Sequence, residues 1–467
     1  MRVRLACIAS LCAVAPLASH AQAAPAARAA YAASAVSAST AAPAPALTLA
    51  EAYRLALEKD ATLRTARAAT DARRERLPQA RAQLMPNLSA SYGQNRNHLQ
   101  SIQPGLSGPV AGEQFYNSDT GALTLRQPLY RPYQFADLAQ AHDQVADANA
   151  QLEKEVQNLA VRVASAYMDC LLAEDQLQLV LQQKETYTAN LDAAQKLFKA
   201  GSGVRTDIDE ARAKLDMTIA QELEARQNVT YTRRALQVMV DVPVVRLAPL
   251  DPARMHLDPP SPPQLDDWLQ RAEQSSPEIL SLTAQRDAAR RDIDKARAGH
   301  LPTLDAIAQW SITKSDSPTQ INSKYDQKSV GIQFSLPLFA GGQVNSQIRQ
   351  AVAALEQANE SLEATRRDLS LRIEKEYRGV TEGVAKVTAL EQAAKSADVM
   401  VVSSRKSFEG GARTLLDVLN AEEQRVTTLR DLAQQRYLYL LSRIRLQALV
   451  GGADDAVISE VDSALAP

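Results

Sequence analysis

The chain has 467 residues, 45% hydrophobic, 23% charged and only 4% aromatic, which is a globular and not a disordered composition. A net charge of −2 does not imply a nucleic-acid partner, and much Ala, Leu, Gln and Glu with few rings favours long helices. Of the three cysteines, Cys7 and Cys12 lie in the first segment, so a processed chain keeps only Cys170 and no internal disulfide framework forms.

Residues 1–23 read as an export signal, with Arg2 and Arg4 ahead of the apolar stretch Leu5 to Leu17 and small residues at Ala21-Gln22-Ala23. Neither early cysteine follows the small-residue context of a lipid-anchored product. Residues 24–46 are a leader of Ala, Ser and Pro that cannot pack a core. No later stretch approaches the roughly 18 apolar residues of a membrane helix, which leaves a periplasmic, secreted or outer-membrane β-barrel protein.

The rest of the chain divides into a first repeat (47–241), a proline-rich linker (242–263), a second repeat (264–451) and a C-terminal tail (452–467). Residues 148–241 match 358–451 at a constant offset of 210, pairing Leu152 with Leu362, Arg162 with Arg372, Tyr167 with Tyr377, Phe198 with Phe408, Gly201 with Gly411 and Asp207 with Asp417. The earlier parts correspond at offset 216, with Pro86 on Pro302 and Leu88 on Leu304. Each repeat opens with helices, about 48–84 and 264–300, interrupted near Asp60 and Pro277.

Short strands are expected at about 87–95, 121–128, 303–313 and 328–337, separated by polar loops at 95–120 and 315–327. Leu304, Ala306, Ala308, Trp310 and Ile312 share one face of the third strand, opposite Asp305, Gln309, Ser311 and Thr313. Alternation over about ten residues is a membrane-strand signal, and also that of a half-buried hairpin in a soluble protein. Pro86 and Pro302 mark the helix-to-strand junctions, and Pro128 and Pro337 the strand-to-helix junctions. Four strands cannot close a barrel, and an open edge is not stable in lipid, so membrane strands here demand an oligomer.

Long helices follow at about 132–199 and 341–409, and shorter ones at 206–240 and 415–450. Leu369, Ile373, Tyr377, Val380, Val384 and Val387 form a coiled-coil stripe on the second long helix. About 68 residues at 1.5 Å each span roughly 100 Å, more than any compact domain requires. The turns between these helices contain Gly201, Gly203, Val204, Gly411 and Ala412, and their plain role is helix termination. His98, His142, His256 and His300 are scattered without metal-ligand spacing, no catalytic constellation stands out, and no cofactor is expected.

The duplicated strand, long helix, glycine and helix plan resembles the TolC family of outer-membrane channel-tunnels, over about residues 47–451. The resemblance is carried by Gly299-His300-Leu301-Pro302-Thr303-Leu304-Asp305, by Phe334-Ser335-Leu336-Pro337-Leu338 with Gly341-Gly342-Gln343 after it, and by Gly411-Ala412-Arg413-Thr414-Leu415-Leu416-Asp417. It implies a mainly α fold whose long antiparallel helices form a trimeric α-helical barrel, with four strands per copy in a shared twelve-stranded β-barrel in outer-membrane lipid. It also implies a periplasmic adaptor, docked at the turns, and through it an inner-membrane pump or ABC transporter. At the periplasmic gate, Arg413 stands where the family has an arginine that ties the entrance shut, and Thr206 and Asp207 stand at its partners' positions. Asp417 matches the first of two aspartates lining the pore entrance, while Asn420 departs from the second. The implied function is a passive exit duct for efflux or type I secretion. A soluble periplasmic coiled-coil scaffold shares the helices and the export signal but has no need of strands bracketed by prolines.

Overall fold

The structure, a computed structural model, describes residues 46–105, 108–317 and 320–466. The export signal and all but the last residue of the leader lie outside the described residues. After the leader come helices α1 (Leu49–Lys59), α2 (Ala61–Arg74) and α3 (Arg76–Ala82), then strands β1 (Asn87–Gly105) and β2 (Gly108–Tyr130). Helices α4 (Pro132–Lys199) and α5 (Arg205–Val240) complete the first half. The second half comprises α6 (Leu265–Ser275), α7 (Pro277–Arg297), β3 (Thr303–Ser317), β4 (Gln320–Ser335), α8 (Gln343–Glu409) and α9 (Leu415–Leu449), followed by α10 (Asp455–Asp462).

Helix starts follow local chemistry. Thr48 and Glu51 form a capping box on α1, Asp60 accepts the Leu63 N–H at the head of α2, and prolines open α4 and α7. The long helices α4 and α8 hold 68 and 67 residues, each about 100 Å of helix. Among these long helices α4 lies between α5 and α9, and α9 between α4 and α8, so α5 and α8 are the outer members of a row.

The main core gathers where both halves meet: Tyr167, Leu236, Trp268, Ile373, Tyr439 and Ile444 are all buried there. Their polar tips bond to chain segments between helices. The Tyr167 hydroxyl donates to the Leu47 carbonyl at 2.9 Å, and the Tyr377 hydroxyl to the Pro263 carbonyl at 2.5 Å. The proline-rich linker is held in the same way: Trp268 Nε1–H donates to the Pro262 carbonyl at 2.9 Å and the Tyr439 hydroxyl to the Asp258 carbonyl at 2.8 Å. Residues 452–466 are more than a tail. Asp454 caps α10, Ile458 and Val461 are buried, and Asp462 Oδ1 accepts the Leu49 N–H at 2.8 Å. A helix of eight residues holds barely two turns, too few for its periodicity to stand out in sequence.

The four strands form one antiparallel sheet in the order β1-β2-β3-β4, and the β2–β3 pairing joins the two halves. The strands correct two expectations. Residues 95–105 and 108–120 are not a loop but the outer part of the β1–β2 ribbon, and 315–317 and 320–327 belong to β3 and β4. Pro128 is not at the end of its strand: it lies at a bulge, β2 runs on to Tyr130, and Pro132 opens the helix. Proline has no N–H for the ladder, so the register slips there.

Candidate channel site

The sheet has two unlike faces. In register, Leu88, Leu125, Ala308 and Val330 form one cross-strand row. Tyr92, Ile332 and Phe334 share that face and are exposed, and Val330 is 87% exposed. The adjacent row on the opposite face is Ser89, Thr124, Gln309 and Ser329. A sheet with an exposed apolar face and a polar reverse suits lipid on one side and water on the other. The edges, β1 and β4, have no strand neighbour among the described residues. The strands hold 19, 23, 15 and 16 residues, more than the roughly 9–11 that cross a bilayer. Among the described residues no helix is long and apolar enough to cross a membrane.

At the base of the sheet a buried ionic clamp joins strands to helices. Asp305 on β3 is 2% exposed. Its carboxylate accepts from Arg126 Nη2 at 2.5 Å and from Arg131 Nε at 2.8 Å, with Arg131 Nη2 bonded as well. Arg126 lies near the end of β2 and Arg131 immediately precedes α4, so one carboxylate pins the exit of the first hairpin to the start of the second. Pro86 and Pro302 immediately precede β1 and β3, and Pro337 follows β4 by two residues. The clamp escaped sequence reading. Its one signal was an acidic residue on a strand that also carries a strong apolar face.

At the far end the two helical turns share one design. After α4, Gly201 (φ 76°) and Ser202 N–H close on the Phe198 and Leu197 carbonyls; after α8, Gly411 (φ 72°) and Ala412 close on Phe408 and Ser407. Each is a left-handed glycine cap with the 6→1 bond of a Schellman turn. A β-carbon at Gly203 would lie 2.8 Å from the Phe198 backbone nitrogen, so that position needs glycine for space. Val204 is exposed ahead of α5. The two tips pack together through Tyr187, Ala194 and Ala211 against Leu415 and Leu419. Gly411→Ala is expected to destabilise its tip by about 1 kcal/mol, read as faster protease cleavage at residues 408–414 with the overall melting temperature little changed.

The residues expected to form a gate and entrance lie at these tips, and among the described residues no hydrogen bond or ion pair joins Arg413 to Thr206 or Asp207. Arg413 Nη1 donates to Ser404 Oγ at 2.7 Å, a partner that sequence reading missed. Thr206 and Asp207 lie in the first turn of α5, and Asp207 has no ion pair among the described residues. Asp417 accepts the Thr414 N–H at 2.9 Å and the Thr414 hydroxyl at 2.8 Å, in a capping box at the head of α9. Those bonds, the backbone one first, hold its carboxyl below the usual carboxylate range. The depressed pKa means that the cap stabilises above the ordinary carboxylate pKa and is lost as pH falls through the lowered value. Asn420 is exposed one turn further on, on the face of Asp417. Among the described residues no group of His, Cys, Asp or Glu is arranged to hold a metal ion.

Comparison with known proteins bears on the whole chain. The family model described as outer membrane efflux protein matches residues 52–240 and again 268–452. The chain is similar to the alkaline protease secretion protein AprF of Pseudomonas aeruginosa, 34% identical over 88% of this chain and 86% of that one. It is similar to the proteases secretion protein PrtF of Dickeya chrysanthemi at 30% identity, over 87% and 89% of the two chains. To the outer membrane protein TolC of Escherichia coli (strain K12) it is 27% identical, over 90% and 85%. In fold it resembles the crystal structure of the outer membrane protein VceC from Vibrio cholerae, with a TM-score of 0.73 at 19% identity, over 86% and 96%.

Proposed function

Because this chain belongs to the outer membrane efflux protein family, we propose that three copies join their sheets into one twelve-stranded barrel and their helices into one duct. The chain is an outer-membrane channel protein for efflux or secretion, with a periplasmic extension. The observation that carries the assembly is the open sheet. An apolar-faced sheet with two unpaired edges cannot sit alone in lipid, because its edge amides would go unsatisfied. The helices support the same closure. The outer helices of the row keep exposed apolar side chains, Met217, Leu223, Tyr231 and Val238 on α5, and Leu371, Val399 and Val402 on α8. These are surfaces for the α8 and α5 of neighbouring copies. The matched tyrosine anchors support descent of the halves from one duplicated unit, since Leu47 and Pro263 stand 216 residues apart. Purified protein is expected to run as a detergent-stable trimer and to open conductance steps in a planar bilayer. A water-soluble monomer that passes no ions refutes the assembly.

The relatives named for protease secretion favour type I protein secretion as the task of this duct. The protomer contributes a path and no chemistry; energy comes from an ABC transporter or pump reached through a periplasmic adaptor. The adaptor meets the tips around Gly201, Gly203, Val204, Gly411 and Ala412. Photo-cross-linkers at Val204 and Ala412 are expected to capture a membrane-fusion adaptor in cells.

The gate reading places Arg413 against Thr206 and Asp207 of an adjacent copy. It is supported by their positions beside the outer helices α8 and α5, which face neighbouring copies in the closed row. One charge-assisted contact at an exposed site is worth about 0–1 kcal/mol, and threefold repetition makes it a latch. Arg413→Ala and Asp207→Ala are each expected to raise single-channel conductance; no change in either removes the latch. Asp417 supplies a single anionic ring, and Asn420→Asp is expected to add a second and to strengthen block by multivalent cations. Equal block before and after that change removes Asn420 from the pore lining.

A further inference from the structure

The outward face of the sheet changes character one step beyond its apolar belt. On β3, Leu304, Ala306, Ala308, Trp310 and Ile312 are followed on the same face by Lys314. In the β3–β4 register Lys314 stands directly opposite Lys324, and Trp310 directly opposite Lys328. Directly opposed residues of an antiparallel pair bring their β-carbons to about 5 Å, and like charges there repel. Two carboxylates share this face, and among the described residues neither makes an ion pair with the opposed lysines. Asp119, opposite Lys314 on β2, makes no ion pair with it, and Asp326 is engaged by the Trp310 indole N–H at 2.8 Å. All three lysines are exposed, and Lys328 Nζ lies 5.8 Å from the centre of the Trp310 ring. Among the described side chains, three lysines against two carboxylates leave an excess of positive charge on this face beside an indole, a setting that suits an external anion.

We propose that Lys314 and Lys324, with Lys328 beside Trp310, form a binding site for the phosphate of a membrane-lipid headgroup, one site per copy. The location selects the ligand. The site continues the lipid-facing belt without a break, at the end away from the long helices, where a bilayer changes from chains to headgroups. Indole rings concentrate at that depth, with the ring among chains and the N–H toward polar groups. Lysine ammonium groups bind phosphate as compact point charges, and each is worth about 1 kcal/mol near an anionic surface, or about fivefold in affinity. A water-facing strand tip would gain nothing from such a pair, so the proposal rests on the reading that this face meets lipid.

The test uses the intact oligomer in detergent, titrated with diphosphoryl lipid A and with the same glycolipid after removal of its phosphates, and read by native mass spectrometry. The unaltered protein is expected to prefer the phosphorylated lipid. Lys314→Gln/Lys324→Gln is expected to weaken that binding roughly 25-fold, about fivefold for each lysine, while Lys314→Arg/Lys324→Arg retains it. Equal binding of the two lipids by the unaltered protein, or undiminished binding by the Gln variant, overturns the proposal. Should the double variant fail to assemble, Lys324→Gln alone decides, with the expected loss about fivefold. Conductance in a neutral phosphatidylcholine bilayer separates the two readings. A protein that conducts but ignores phosphate refutes only the lysine site, whereas one that does not insert refutes the lipid-facing sheet beneath it.

Discussion

Asp305→Ala is expected to lower the stability of the assembled protein by about 3 kcal/mol per copy, the low end of the range for breaking a buried ion pair. The carboxylate is almost wholly enclosed, and its removal leaves Arg126 and Arg131 facing each other across an emptied site. The low end applies because the Arg126 side chain is 47% exposed and can turn to water, whereas Arg131 is 21% exposed and cannot do so as freely. The measurement is the temperature at which the oligomer dissociates in detergent, in a cycle with Arg131→Ala. A coupling energy of about 1–3 kcal/mol is expected, since the two groups share one bonded network. Dissociation at the unaltered temperature would show that the clamp does not hold hairpin to hairpin. The position magnifies the effect. The β2–β3 pairing is the seam between the halves, and a loosened seam moves the β4 edge through which the proposed assembly closes.

Val330→Arg is expected to abolish stable insertion, and it separates the membrane reading from the soluble one. Val330 is 87% exposed in the single chain. On a surface facing water, arginine there costs within about 0.5 kcal/mol of nothing. At the middle of a lipid-facing belt it costs about 2–4 kcal/mol, incurred three times in a trimer. The adjacent Ser329→Arg is the control, because it lies on the polar face in the row of Ser89, Thr124 and Gln309. It is expected to leave insertion intact and to shift ion selectivity toward anions. Membrane fractionation and bilayer conductance read both variants, and a Val330→Arg protein that inserts normally would place water on that face.

The long helices were legible because apolar residues recur at steps of four and seven, as in Leu369, Ile373, Val380 and Val387, all of them buried. The turns were legible because glycine most readily takes the left-handed φ that Gly201 and Gly411 adopt. The outer ribbon was misread for a physical reason. Over residues 95–105 and 108–117 the alternation of apolar and polar residues vanishes although the backbone ladder continues. Hydrogen bonds, which are blind to side-chain type, extend the strands there. Arg413 was singled out by the family resemblance, but its Ser404 contact was not legible, because a serine nine residues back on a helix carries no distinguishing mark.

Period, punctuation and repetition are properties of neighbours along the chain, and from them the sequence alone pointed to a mainly helical chain with a few strands and glycine turns, but not to how far the strands run. Convergence of distant residues is different. Arg126 and Asp305 lie 179 positions apart, and their meeting depends on how the β2 and β3 registers align. The same holds for Lys314 opposite Lys324, for α10 docked on α1, and for the row α5-α4-α9-α8 that leaves two outer faces open. Only the tertiary structure decided these, because charge pairing and edge exposure depend on distances in space that no local pattern encodes.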